Sequence, residues 1–307
     1  MLLGADETML CSLIKEKVIT RIGSTTLASE IDLPHITCMC AHTGNGIALP
    51  LFIILPNKIQ TLPQKLEEFS ENGQAWFASS KSGWMTRDLF LVWTIHIIHW
   101  LSMYRSNLDK SIRNKRAFLV MDGHGSRECP LALHLLKCNG IDVLILPAHT
   151  THITQMFDVC LAHPLKQLSA KIMKKLIQEN EGQKTQSKIS IIRKSAVKAI
   201  ISAWSSVCNV QSCEMAAKVT GFNPFDPTQV QKSKFVIIKS LQEDYEYMRK
   251  RQERTRLDIN GKIINTDEFI QKIIDRLSEH PRFEHLCQIP KNGMIWNLII
   301  QKFCQKK

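Results

Sequence analysis

Apolar and polar positions along the chain fall into blocks that predict strands separated by helices. Two short apolar runs, Phe118–Met121 and Ile141–Leu146, are bounded by Asp, Gly or Pro, which is typical of strands buried on both faces. Between them, the segment LALHLLKCNG (131–140) has the apolar spacing of a helix and ends at Gly140. The pattern predicts a β-α-β unit, which is usually a right-handed crossover within one parallel sheet.

The N-terminal part of the chain carries further short apolar runs. The sequence TGNG (43–46) lies between two of them and is typical of a hairpin turn. We therefore expect an antiparallel meander ahead of the parallel strands. Its predicted strands are residues 1–6, Lys17–Ile22, His35–Ala41 and Ile47–Leu55.

A long helix is predicted between the meander and the strand at 118–121. Thr86 is placed to cap its N-terminus, and the apolar residues that follow share one helical face. These residues are Phe90, Trp93, Ile97, Trp100, Leu101 and Tyr104. Three tryptophans cluster in this region, Trp84, Trp93 and Trp100, and we interpret them as core packing against the sheet in preference to base stacking.

Three more helices are predicted after residue 160. The segment PLKQLSAKIMKKLIQEN (164–180) is amphipathic, with lysines on its polar face. A polar loop at 180–188 separates it from a helix at Ile192–Val207, in which Trp204 is expected to anchor the packing. A last helix begins within 211–227 and is ended by Gly221 and the prolines after it.

Carboxylates stand where the predicted strands end. Asp122 follows the first strand of the β-α-β unit directly, and Asp158 follows the Thr/His-rich turn after the second strand. Ligand chemistry in open α/β sheets occurs just beyond the carboxyl ends of the strands. The two acids are therefore candidates for a functional site at that edge.

Three motifs around these acids resemble the DDE superfamily endonuclease domains of pogo/Fot-like DNA transposases, in the Tc1/mariner superfamily. The chain reads DGHGSR at 122–127, LPAHTTHITQMFD at 146–158 and HPLK at 163–166, where the family has DGHxSH-like, LPxxTTHxxQPLD-like and PLK-ending motifs. The chain departs from the pattern at five positions. Arg127 replaces a His, Met156 and Phe157 replace Pro-Leu, and Cys160 and Ala162 stand where Gly and Phe are common.

The resemblance also implies a first catalytic Asp at the end of the first strand, in a DET-like motif. Asp6, followed by Glu7 and Thr8, matches it. By resemblance, then, Asp6, Asp122 and Asp158 are the catalytic residues and hold two Mg²⁺ or Mn²⁺ ions. The implied fold is α/β of the ribonuclease H-like kind: a mixed sheet, with an antiparallel meander and parallel strands, flanked by helices.

Phosphodiester chemistry explains why such a site needs acids and metal. In-line displacement must stabilise an attacking and a leaving oxygen, and two divalent ions roughly 3.5–4 Å apart do so. Mg²⁺ and Mn²⁺ prefer carboxylate oxygens. Three converging carboxylates without a cation would repel one another and raise their own pKa values.

Charge is distributed unevenly along the chain. Residues 1–160 carry 14 Lys/Arg and 14 Asp/Glu, whereas residues 161–307 carry 26 and 14, so the whole excess of +12 follows Asp158. A basic face beside the acids would hold a phosphate backbone, and its alternative is a solvated helix face. The candidate DNA-binding lysines are Lys166, Lys171, Lys174 and Lys175.

Several histidines have either a structural role or a role in binding metal or phosphate. His96 and His99 have a spacing at which they could share a metal, but hydrogen-bonded packing is favoured because no third ligand is apparent. His124 either contacts phosphate or shapes the turn between two glycines. We assign His152, near His149, and Gln155 to shaping the loop before Asp158 or to contacting phosphate. No nucleotide-binding glycine motif occurs, so ATP and NAD are unsupported.

Composition bounds the remaining possibilities. The 307 residues are 44% hydrophobic, enough for a full core, and no apolar run reaches the length of a membrane span. The ten cysteines form no CxxC pair, and we expect reduced structural thiols, Cys38 and Cys40 among them. The start lacks the features of a signal peptide. We expect an intracellular protein without membrane association and, with DNA as partner, a nuclear one.

The expected organisation is a DDE endonuclease-like domain at 1–190, its helical end at 191–227 and a charged helical tail at 228–307. The resemblance covers roughly 1–227. Relatives generally carry N-terminal helix-turn-helix modules, and Asp6 leaves no room for one here. We therefore expect a truncated copy, a gene fragment, or a domesticated domain that works as a homodimer or with a partner supplying sequence-specific DNA binding.

Three hypotheses follow. The first is a metal-dependent DNA endonuclease and strand transferase. The second is a transposase-derived nucleic-acid-binding protein with little catalysis, which the altered motifs and the missing module favour. The third, an interaction scaffold with coincidental acids, is disfavoured because all three acids are present.

Overall fold

The computed structural model describes residues 1–10, 35–56, 64–148, 150–180, 188–229 and 261–289. The strand predicted at Lys17–Ile22, His149, most of the loop at 180–188 and most of the tail at 228–307 lie outside these residues. The described residues form a six-stranded mixed sheet with helices on both faces, as the resemblance implies.

The bounds of the strands are β1 Leu2–Met9, β2 Thr37–Thr43, β3 Leu51–Pro56, β4 Ala75–Ser80, β5 Ala117–Met121 and β6 Ile141–Ile145. Across the sheet they follow the order β4-β3-β2-β1-β5-β6. The β1-β2 and β2-β3 pairs are antiparallel, and the β3-β4, β1-β5 and β5-β6 pairs are parallel. The predicted meander and β-α-β unit are both confirmed, whereas β4 and the extension of β1 beyond Asp6 were not predicted.

Helices cover the two faces of this sheet. Their bounds are α1 Gln64–Glu71, α2 Arg87–Ser106, α3 Lys110–Arg113, α4 Pro130–Cys138, α5 Thr151–Thr154, α6 Ala162–Asn180, α7 Lys188–Val207, α8 Val210–Val219, α9 Asp267–Ser278 and α10 Glu284–Cys287. The hairpin turn before β3 also forms as expected, with the Gly46 N–H donating to the Thr43 carbonyl over 3.1 Å.

Helix α2 begins where the sequence predicted. The Leu89 N–H donates to Thr86 Oγ1 over 3.2 Å, so Thr86 caps the helix. Trp93 is fully buried, and Trp100 packs partly buried against the same core. The core assignment was wrong for Trp84, whose side chain is 52% exposed because it lies in the loop before the helix.

The sheet separates two cores. On one face, α2, α4 and α9 pack against residues such as Leu3, Met39 and Leu119. On the other face, α6 and α7 pack against residues such as Cys40 and Ile53. Trp204 anchors α7 as expected, since its Nε1–H donates to the Leu49 carbonyl over 2.9 Å. This layered arrangement leaves the ends of the strands at the rim of the sheet, between the two cores.

Residues 262–265 lie along the outer edge of β6. The Ile145 N–H donates to the Lys262 carbonyl and the Ile264 N–H donates to the Val143 carbonyl, each over 3.0 Å. Asn265 continues the pairing, because its Nδ2 donates to the Ile141 carbonyl over 2.6 Å and its Oδ1 accepts from the Val143 N–H over 3.1 Å. The edge strand is thus covered, and α9 follows directly to extend the core.

Candidate active site

Strand register brings Asp6 beside Asp122. Strands β1 and β5 are parallel neighbours, with Gly4 opposite Val120. Two residues further along each strand lie Asp6 and Asp122. Because neighbouring strands are about 4.8 Å apart, the two carboxylates share one edge of the sheet.

Asp158 reaches the same edge from a π-helical turn, Phe157–Leu161, which leads directly into α6. Turns of this kind are rare and frequently occur at functional sites. Gln155 Nε2 donates to the Ala5 carbonyl over 3.3 Å and so holds this segment against β1. Gly4 leaves room for two side chains here, since a Cβ at this position would lie 2.6 Å from His42 Nε2 and 2.9 Å from Met156 Cε.

The three acids differ in exposure. Asp6 is buried, Asp122 is partly buried and Asp158 is exposed. Burial raises the pKa of Asp6 well above its usual range, and the charges of Asp122 and Asp158 raise it further. Asp6 is therefore close enough to each of the other two predicted acids to interact with it electrostatically.

Arg127 lies among these acids. In the sequence it stood out only as a replacement for the His of the DGHxSH-like motif. Its Nη1 donates to Glu7 Oε1 over 2.6 Å, and its Nη2 donates to Asp122 Oδ1 over 2.9 Å. The side chain is fully buried, and its guanidinium lies 5.4 Å from the centre of the Phe90 ring. Sequence reasoning missed this contact because Glu7 and Arg127 are 120 positions apart.

The turn after β5 holds Arg127 in place. His124 Nδ1 lies 2.8 Å from Ser126 Oγ and accepts from the Ser126 N–H over 3.3 Å, so His124 shapes this turn. Ser126 Oγ in turn accepts from Arg127 Nη1 over 2.9 Å. Glu128 is buried and pairs with Arg87, whose Nη2 lies 3.1 Å from Glu128 Oε2. Each residue from His124 to Glu128 except Gly125 thus has a side-chain partner.

The oxygen donors at this edge fit a hard divalent cation in chemistry. Besides the three carboxylates, Thr8 Oγ1 and Gln155 Oε1 are buried acceptors without a hydrogen-bond partner in the described part of the chain. These donors do not surround a single position for an ion, however. Among the described residues, no three His, Cys, Asp or Glu side chains stand together as a metal site, and Arg127 occupies one Asp122 oxygen.

His96 and His99 lie in different surroundings on α2. His96 stacks on Trp76, with ring centroids 4.6 Å apart, while His99 is exposed. Burial, with a smaller effect from His99, lowers the pKa of His96 to about 4. Stacking on Trp76 therefore accounts for His96, whereas the packing that the sequence favoured for both histidines does not extend to His99, which is exposed.

The remaining candidate residues lie on either side of Asp158. His152 is exposed in α5, whereas Gln155 is 2% exposed and shapes the segment, the first of the two roles considered for it. All four candidate lysines, Lys166, Lys171, Lys174 and Lys175, are exposed along α6. Lys166 lies eight positions after Asp158, which is about 12 Å along a helix.

A stacked pair of rings near Glu7, a half-buried His35 and an exposed Trp84, was also missed. The His35 and Trp84 rings stack with centroids 3.7 Å apart, and Glu7 acts to raise the pKa of His35 against a larger lowering by burial. Exposed stacked rings are surfaces on which nucleic-acid bases can stack. The sequence contains no signal for this pair, because neither the stacking nor the 52% exposure of the Trp84 side chain follows from a local pattern.

A mixed sheet with one acid within β1 and another directly after β5 is the arrangement of a ribonuclease H-like nuclease domain. The family model for the DDE superfamily endonuclease matches residues 35–213, more than half of the chain. The chain therefore belongs to the DDE superfamily of endonucleases. Asp122 and Asp158 lie within the matched residues, and Asp6 lies before them.

One curated relative has a different description. A Cochliobolus lunatus protein named MFS-type transporter clz9 is 30% identical over 100 residues, which are 33% of this chain and 10% of that protein. The chain thus spans about a tenth of that relative's length. No helix in the described ranges is long and apolar enough to cross a membrane. No solved structure matches the chain.

Proposed function

We propose that the chain acts as a divalent-metal-dependent DNA endonuclease and strand transferase of the transposase type, working in the nucleus. The observation that supports this most is the placement of Asp6, Asp122 and Asp158 at one edge of the sheet in a member of this family. Bound Mg²⁺ or Mn²⁺, with two ions as the expected number, would supply charge stabilisation to the attacking and leaving oxygens.

The protein residues have separate roles in this proposal. The three aspartates would hold the cation, while Gln155 fixes the Asp158 segment against β1. The lysines of α6 would bind phosphates on one side of the site, with Lys166 nearest to it. The chain would act as a homodimer or together with a partner protein that supplies sequence-specific recognition of DNA.

Nicking of supercoiled plasmid with Mn²⁺ tests the proposal. We expect Asp122→Asn to lower the nicking rate by about 100-fold or more, because it removes a charge that the transition state needs. Asp142→Asn is a matched control. Asp142 lies near the start of β6, at the edge of the sheet opposite to Asp122, and pairs with Arg116. Equal nicking by wild type and Asp122→Asn would contradict the proposal.

A specific observation favours a second candidate, a nucleic-acid-binding protein without catalysis. Arg127 holds Asp122 where an active site would need a free carboxylate. In that case wild type would bind duplex DNA and protect it from digestion, yet produce no nicks with either Mg²⁺ or Mn²⁺. The same plasmid assay, run beside a binding assay, therefore separates the two candidates.

A further inference from the structure

Arg127 is the charged side chain most deeply enclosed in this site. It is 0% exposed and donates to Glu7 on β1 and to Asp122 at the end of β5. It therefore links the two strands that carry Asp6 and Asp122. Its Nε has no hydrogen-bond partner in the described part of the chain, so the guanidinium is held mainly by these carboxylates and Ser126.

Stability alone does not explain a buried arginine here. Removing two charges from water costs several kcal/mol per ion, and buried ion pairs can often be replaced by apolar residues without loss of stability. Phe90, next to the guanidinium, shows that apolar packing is available at this point of the core. The charge of Arg127, and not only its volume, is therefore the feature that needs a role.

The positive charge of Arg127 weakens the binding of any cation at Asp122 and the acids beside it. Arg127 occupies Asp122 Oδ1, so an ion that required both oxygens of this carboxylate would have to displace it. The guanidinium also repels a divalent ion located one carboxylate away. Such repulsion is worth about tenfold in affinity at the dielectric constant of water, and more inside a protein.

We propose that Arg127 is a positioning residue that serves as a built-in cation: it orients Asp122, neutralises part of the carboxylate charge and weakens divalent-metal binding at the site. The inference rests on the proposed function in that Asp6, Asp122 and Asp158 are taken as the metal ligands. In the absence of metal, the ion pairs with Glu7 and Asp122 keep the two strand ends assembled. Metal binding then competes with the guanidinium for Asp122.

Calorimetric titration of the full chain with Mn²⁺ at about pH 8 tests this. We expect Arg127→Gln to bind Mn²⁺ about tenfold more tightly than wild type, because the repelling charge is gone. Arg127→Lys keeps the charge and should stay within about threefold of wild type. Arg87→Gln is the matched control, since Arg87 pairs with Glu128 and not with an acid of the site.

A neutral side chain at this buried position could prevent folding, which circular dichroism would show. Arg127→Met, an apolar side chain that offers no nitrogen or oxygen ligand to Mn²⁺, is the second neutral variant and should give the same tightening. If neither neutral variant folds without metal, refolding in Mn²⁺ decides. Recovery by Mn²⁺ supports the built-in cation, and failure to recover overturns it.

The outcomes also separate this inference from the proposed function. Unchanged or weaker Mn²⁺ binding by Arg127→Gln overturns the inference and leaves metal-dependent cleavage standing. Binding by Arg127→Gln but not by wild type supports the inference and contradicts metal-dependent cleavage by the native chain. Binding by none of the proteins overturns both. A structural role alone would lower stability without tightening metal binding.

Discussion

At the scale of single residues, the burial of one histidine makes the stability of the protein depend on pH. His96 lies on α2, stacked on Trp76, and its pKa is lowered to about 4 chiefly by burial. In the unfolded chain a histidine has a pKa of about 6.5. Between these two values the unfolded state binds more protons than the folded state, so stability rises with pH.

This difference predicts a loss of stability on acidification. We expect the free energy of unfolding of wild type to fall by about 2 kcal/mol between pH 7.5 and pH 5 through His96 alone. His96→Phe keeps a ring against Trp76 without a titrating group and should lack this part of the loss. Urea unfolding at the two pH values measures it.

The exposed neighbour on the same helix provides a control. His99→Gln should retain most of the loss seen in wild type, because His96 still lies largely enclosed beside Trp76 and burial is the larger cause of its lowered pKa. If His96→Phe and wild type lose the same stability on acidification, the charge state of His96 is not the cause.

At the scale of elements, local pattern and distant pairing contribute differently. Helix α2 and strands β5 and β6 could be predicted because their apolar spacing is complete within each segment. Strand β4 could not, since AWFASS has no regular alternation and becomes a strand by pairing with β3. The contact of Arg127 with Glu7 likewise joins two distant segments, so it could not be predicted from the sequence near either residue.

The segment before α9 is the element that closes the sheet. Asn265 is 2% exposed and makes two hydrogen bonds with the backbone of β6, to Ile141 and Val143. It therefore takes the place of a neighbouring strand at that point. Pairing of this edge with another chain is prevented as long as the segment stays in place.

Asn265→Ala should consequently destabilise the protein by about 2–4 kcal/mol, because two buried backbone groups would lose their partners. Chemical denaturation monitored by circular dichroism measures the change. Gln271→Ala, which removes an exposed side-chain hydrogen bond to Asp275 on α9, should change stability by no more than about 0.5 kcal/mol. Similar small effects for both variants would show that the segment does not depend on Asn265.

At the scale of the whole molecule, positive charge follows the acids in sequence and adjoins them in space. The net charge of +12 arises entirely after residue 160, and α6 begins directly after the turn that carries Asp158. Its lysines are exposed, whereas the acids at the strand ends are partly enclosed. Electrostatic attraction to the lysines of α6 would therefore position a DNA backbone beside the carboxylates, independently of its base sequence.

Salt dependence tests this arrangement. Binding of lysines to phosphates releases counterions, and each contact contributes about 0.9 to the slope of log affinity against log salt concentration. Neutralising Lys171, Lys174 and Lys175 together to Gln should reduce the slope by up to about 2.7 and weaken binding to unrelated duplexes equally. Fluorescence anisotropy over a range of salt concentrations measures both quantities.

An equal loss of charge elsewhere distinguishes location from total charge. Lys110, Arg113 and Lys115 are exposed and precede β5, so they lie at the end of the strand opposite to Asp122, about 17 Å away along the strand. Neutralising these three should leave the slope nearly unchanged if DNA lies along α6. Equal effects of the two triple variants would mean that binding responds to net charge only, and the path along α6 would have to be abandoned.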